Sequence, residues 1–111
     1  MTNNKIIGNI GEELAAETLR AKGHYILRRN FTCPYGEIDI ITIKNKVISF
    51  VEVKTRASSQ YGSPIEAVNI TKQKRIRNAA QNFLYQYKKN YEQIDFKVIE
   101  ITVNQVDNLE F

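Results

Sequence analysis

A single cysteine, Cys33, rules out an internal disulfide and any cluster of thiolate metal ligands. It is expected to be a partly buried thiol beside a turn, in keeping with a reducing cytoplasm. The one histidine, His24, has no second imidazole to share a metal with, and its place after Gly23 at a helix-to-strand junction predicts a structural role. The two prolines and five glycines fall singly, as turn punctuation, with no Gly/Ser-rich linker, low-complexity tract or internal repeat. No stretch approaches the roughly 20 apolar residues that a membrane span requires. Asn3, Asn4, Gly8 and the Glu12-Glu13 pair precede any apolar run, which argues against a secretory leader.

What is present suits one core. The 111 residues are 42% hydrophobic, enough to fill one domain spanning residues 1–111 and too few for two. Sixteen basic residues against twelve acidic ones give a formal charge of +4. That tilts the chain mildly toward polyanions, although proteins that never touch nucleic acid reach the same value.

Ile7, Ile10, Leu14, Thr18 and Ala21 recur at three- and four-residue spacing and predict a helix over residues 4–22, stopped by Gly23. Three runs rich in β-branched and aromatic residues follow, at 25–32, 37–43 and 47–55, separated by Pro34-Tyr35-Gly36 and Lys44-Asn45-Lys46. They predict consecutive antiparallel strands. A second helix is expected over 71–89, capped by Thr71, with Ile76, Ala79, Ala80, Phe83, Leu84 and Tyr87 facing inward. Residues 94–103 then read as a strand reached by a helical crossover, hence parallel to one already in the sheet. The expected class is α/β, a mixed sheet flanked by helices in the order α-β-β-β-α-β.

The third strand is largely apolar on both faces, as a central strand should be, yet Glu52 and Lys54 interrupt one of them. Burying charge without compensation costs several kcal/mol, so both need opposite charges or a cation nearby. If the preceding hairpin closes with a two-residue turn at Asn45-Lys46, or with a four-residue loop in the same register, Ile43 lies opposite Ile48 and Asp39 opposite Glu52. A three-residue loop would turn Asp39 to the other face. Two opposed carboxylates repel unless one is protonated or a cation sits between them, and hard oxygen donors suit Mg²⁺ or Mn²⁺. The same group suits phosphodiester hydrolysis, with Lys54 orienting a water or offsetting developing charge. The competing reading is an ion network that only ties the strands together.

Glu37-Ile38-Asp39 followed by Val51-Glu52-Val53-Lys54 resembles the PD-(D/E)xK nuclease signature, without its Pro-Asp. Gly8-Asn9-Ile10-Gly11-Glu12, Gly36-Glu37-Ile38-Asp39, Phe50-Val51-Glu52-Val53-Lys54-Thr55-Arg56, and Lys72 with Ala79 and Phe83-Leu84 together resemble the YraN family. That family of small bacterial proteins is similar to archaeal Holliday-junction resolvases. The resemblance implies a restriction-endonuclease-like core and a Mg²⁺-dependent endodeoxyribonuclease. Asp39 and Glu52 would be its metal ligands, the Val53 carbonyl a third, and Lys54 its catalytic cation. It also implies an additional catalytic acid on the first helix, matched by Glu12 with Glu13 as the alternative, although the apolar stripe predicts that Glu12 is solvated. A cutter of branched DNA, whose junctions are nearly two-fold symmetric, would act as a homodimer.

Lys72 and Gln73 are expected on the side of the second helix that faces the catalytic strand, with Lys74 and Arg75 turned outward, either gripping phosphates or simply solvated. Glu37 should share a face with Asp39 and position Lys54, act as an acid behind the metal ligands, or simply pair with the lysine. Arg56 and Tyr61 belong to the polar loop leaving the third strand, where substrate contacts are expected; Tyr61 either stacks on a base or packs on the surface. The other aromatic residues are expected mainly in the core. These residues fit two functions, a nuclease acting on DNA and a nucleic-acid-binding or partner-binding module without turnover.

Overall fold

The structure, a computed structural model, describes residues 2–56, 68–102 and 105–111. The element order is α1 (Thr2–Ala21), β1 (Tyr25–Cys33), β2 (Gly36–Lys44), β3 (Val47–Thr55), α2 (Ile70–Gln86), β4 (Gln93–Thr102) and β5 (Gln105–Glu110). The five strands form one mixed sheet in the order β1-β2-β3-β4-β5. β3 and β4 are parallel, as the crossover through α2 requires, and the other neighbours are antiparallel. β5 extends the predicted order to α-β-β-β-α-β-β. Its sequence, Gln-Val-Asp-Asn-Leu-Glu, lacks a β-branched or aromatic run, and it forms because the edge of β4 offers a ladder to pair with.

Two cores fill the layers. On one face of the sheet, α2 packs Ile76, Ala79, Ala80 and Phe83 against Phe31, Ile41, Ile48, Phe50, Phe96 and Val98. Phe83 meets Phe31 and Phe50 edge to face, at centroid distances of 5.5 and 6.1 Å. Asn69, not Thr71, caps α2: its side chain accepts the Lys72 N–H at 2.9 Å. The helix ends at Gln86, three residues short of its expected end, where the extended Tyr87 returns its N–H to Phe83 and Leu84.

On the other face, α1 buries Ala15, Ala16 and Leu19 against Ile40, Val51, Ile99 and Ile101. The predicted stripe is therefore corrected, because Ile7, Ile10 and Leu14 are exposed. The helix lies so close to the sheet at Gly11 that a Cβ there would collide with the Thr55 side chain. This rotation moves Glu12 from the solvent to the margin of the buried face. No described helix is long and apolar enough to cross a membrane.

Candidate functional site

Asn45 and Lys46, at φ 50° and 62°, close the β2–β3 hairpin with a two-residue turn. The ladder then runs from Lys44↔Val47 through Ile43↔Ile48 to Ile40↔Val51, which brings Asp39 next to Glu52. There the strands part. Ile38 belongs to the α2-side core and Ile40 to the α1-side core, although a regular strand would put both on one face. The change of face falls at Asp39, between the pairs Phe31↔Ile38 and Arg29↔Ile40 and opposite Asn30, whose φ is 52°. Asp39 consequently reaches along the sheet plane: its Oδ2 accepts the Val53 N–H at 2.8 Å, taking the place of a backbone carbonyl.

Glu52 is 8% exposed and lies within hydrogen-bonding contact of Asp39. Burial, the hydrogen bond shared with Glu52 and the charge of Glu52 push the Asp39 carboxyl up from 3.8 to about 8, against the opposing pull of the Val53 N–H and Lys72. At neutral pH the pair holds a proton between two oxygens. Lys72 Nζ stands 3.2 Å from Glu52 Oε2, so α2 brings an ammonium to the pair from one side of the sheet.

From the other side comes Glu12. Its carboxyl is raised, first by burial and then by the charge of Asp39, with Glu37 adding and Arg29 opposing. Glu13 instead bonds Arg29 of β1 at 2.8 Å, which holds it below the usual carboxylate range. Of the two helix acids, Glu12 is the one whose field reaches the pair.

A cleft of about 490 Å³ opens over this point, bounded by Gly36, Glu37, Asp39, Glu52, Lys72 and Arg75, with Asn69, Thr71 and Ile76 from α2 and its cap. Glu37 is exposed at its rim, past the end of the β2–β3 ladder, and the predicted pairing with Lys54 does not form there. Lys54 is exposed, in register with Glu100 of β4, and is not among the described lining residues. The ammonium at the carboxylates is that of Lys72, which the sequence pattern placed only in the general direction of the strand end. Arg75 is an exposed lining residue and Lys74 an exposed neighbour, as expected of outward cations.

Gln73 is turned aside, donating from Nε2 to the Val68 carbonyl at 2.9 Å. Arg56 does not lie free in a substrate loop: its Nε is 3.3 Å from Glu100 Oε1, and both side chains are at least nine-tenths buried. The pairing follows from a buried carboxylate on β4 that requires a cation, so Arg56 has a structural task. Tyr61 and the rest of the predicted loop, residues 57–64, lie outside the described residues. His24 is structural as expected, with Nδ1 2.8 Å from Thr42 Oγ1 and burial lowering its pKa.

The donor set suits a hard cation, since two carboxyl groups share one proton where an ion would relieve them. Among the described residues no three His, Cys, Asp or Glu side chains gather as a ligand group. The protein would therefore supply Asp39, Glu52 and a backbone oxygen, and the Val53 N–H bond to Asp39 fixes the backbone at the residue whose carbonyl the resemblance nominates.

A family model described as "Uncharacterised protein family UPF0102" matches residues 11–101, which include Glu12, Asp39, Glu52, Lys54 and Lys72. A UPF0102 protein of Clostridium perfringens is 50% identical over 98 residues, covering 88% of this chain and 80% of the relative. One from Clostridium novyi is 48% identical over 105 residues, 95% of this chain and 88% of its own. A third, from Dictyoglomus thermophilum, is 40% identical over 103 residues, 93% and 87% respectively. On that family match and these identities, the chain belongs to the UPF0102 family, which is the YraN family its motifs resemble.

Proposed function

We propose that the protein is a metal-dependent nuclease that hydrolyses phosphodiester bonds in DNA, with branched or otherwise structured DNA as the preferred form. The observation that carries this reading is the contact between the Asp39 and Glu52 carboxyls at the floor of an open, partly basic cleft. A purely structural ion network would pair each carboxylate with a cation, whereas here one acid faces another and the Lys72 ammonium bridges to Glu52 at 3.2 Å.

Asp39, Glu52 and the Val53 carbonyl would hold Mg²⁺ or Mn²⁺, which when bound supplies charge neutralisation for a phosphate oxygen and acidifies water. The chain's own residues do the remainder. Lys72 holds Glu52 at the cleft through its 3.2 Å ion pair. Lys54, beyond Glu52 on the same strand, presents a solvent-facing ammonium to the charge that builds on the phosphate. Glu12 adds a carboxyl of raised proton affinity from the α1 side, suited to taking or returning a proton near Asp39. Arg75 and Lys74 stand where backbone phosphates would approach. A junction substrate would call for a homodimer with two such clefts.

The test is cleavage of supercoiled, linear and four-way-junction DNA in Mg²⁺ or Mn²⁺. Wild-type protein should nick at least one form, and EDTA, Asp39→Asn and Glu52→Gln should each stop it. Wild type inert on all three forms, or variants as active as wild type, would reject the proposal and leave the binding-module alternative.

A further inference from the structure

We infer that the groove between the Pro34-Tyr35-Gly36 turn and the outer face of α2 binds an unpaired nucleic-acid strand that continues from the carboxylate cleft. The inference rests on the proposed function for the direction of the strand and on separate residues for its chemistry. Two tyrosines that a core would be expected to claim are left outside: Tyr35 is 53% exposed and Tyr85 82%. Between them lies a second cleft of about 480 Å³, lined by Tyr35, Asn78, Gln81, Asn82, Tyr85 and Gln86. Its size is within the roughly 300–1,000 Å³ range of pockets that take a small planar guest.

The lining is built from two aromatic faces and four side-chain amides. Amides carry a donor and an acceptor side by side and so match base edges, while tyrosine rings accept any base by stacking. The electrostatics agree. α2 has no acidic residue in its 17 positions and carries Lys72, Lys74, Arg75 and Arg77 in its first half. Lys88 follows at the far end, 5.4 Å over the Tyr85 ring. Cations thus stand at both ends of the groove and neutral hydrogen-bonding groups between them. A duplex needs phosphate contacts along its length, whereas an unpaired strand can turn its bases to the middle and its backbone outward.

The two clefts meet. Tyr35 lines one and Gly36 the other, Asn78 lies one helical turn beyond Arg75, and Gly36 packs so near that a Cβ there would touch the Arg75 Cβ at 3.7 Å. Arg75, exposed at the boundary, is placed to hold the phosphate between the residue at the carboxylates and the first base in the groove. From Arg75 to Tyr85 the helix rises about 15 Å, the length of roughly four stacked nucleotides.

The experiment is fluorescence anisotropy of labelled oligothymidine and of a duplex of the same length, in EDTA so that cleavage plays no part. Wild type should prefer the unpaired strand. Tyr35→Ala and Tyr85→Ala should each weaken that binding about tenfold, the loss of one stacked base, and leave duplex binding unchanged. Both side chains are at the surface, so unchanged melting temperatures will confirm that the variants fold. Equal or tighter duplex binding, or unpaired-strand binding indifferent to both substitutions, overturns the inference. Strand binding lost in Tyr85→Ala without cleavage by wild type would sink the nuclease reading alone; cleavage with no effect of either tyrosine would sink the groove alone.

Discussion

Replacing Asp39 by Asn should make the metal-free protein more stable while removing a ligand from the proposed cation site. The Val53 N–H keeps its acceptor, since an amide oxygen can stand where Oδ2 does, and the new NH₂ can donate to Glu52. What disappears is the cost of ionising Asp39 inside the fold. Its carboxyl is raised from 3.8 to about 8, so the native state holds a proton that the unfolded chain gives up at lower pH. The stability linked to that proton is complete below the unfolded value and is lost as pH rises through the folded one. The displacement sets a ceiling of about 6 kcal/mol. Because the strain is shared with Glu52 and opposed by Lys72, a gain of ~2 kcal/mol at about pH 9 is the expectation, or about 8 °C in melting temperature. At about pH 5 the gain should fall below half of that, since wild-type Asp39 is then protonated in the fold. Thermal and urea unfolding in EDTA at both pH values provide the assay. A variant less stable than wild type, or a gain equal at both pH values, would refute the reasoning.

Other consequences follow from single contacts. Gly11→Ala should cost about 1–3 kcal/mol in urea unfolding by driving α1 off Thr55, and Thr55→Gly in the same chain should restore most of it; no loss would mean that α1 does not sit this close. Glu100→Ala should cost about 3 kcal/mol by removing the carboxylate that the buried Arg56 charge pairs with, and the double variant with Arg56→Met should recover a measurable part. Lys54→Met should lower the cleavage rate ~100-fold or more with Mn²⁺ affinity unchanged, as expected of a group that meets developing charge; a parallel loss of Mn²⁺ affinity would contradict that role.

The hairpin parity that joins Asp39 to Glu52 was legible in the sequence because side-chain alternation and the Asn45-Lys46 turn leave few registers. So was the inward face of α2, where large apolar residues repeat at helical spacing. Three features escaped such reading for physical reasons. The inward face of α1 is made of Gly11, Ala15, Ala16 and the single large residue Leu19, while the stripe of Ile7, Ile10 and Leu14 faces out. β5 owes its existence to the open edge of β4, a tertiary cause with little local signal. Asp39 leaves the alternation altogether, through a change of face opposite the left-handed Asn30, and so reaches Val53 in the sheet plane. The contact of Lys72 with Glu52 was legible only as a direction, because it depends on how α2 packs across the sheet and not on spacing along the strand.

Calorimetric titration with Mn²⁺ near pH 7, repeated in buffers of different ionisation enthalpy, tests the central claim most directly. One ion per chain should bind with release of close to one proton, because the cation displaces the hydrogen shared by Asp39 and Glu52, and Asp39→Asn should abolish both. Binding that survives the substitution, or that releases no proton, would contradict a cation site built on this pair.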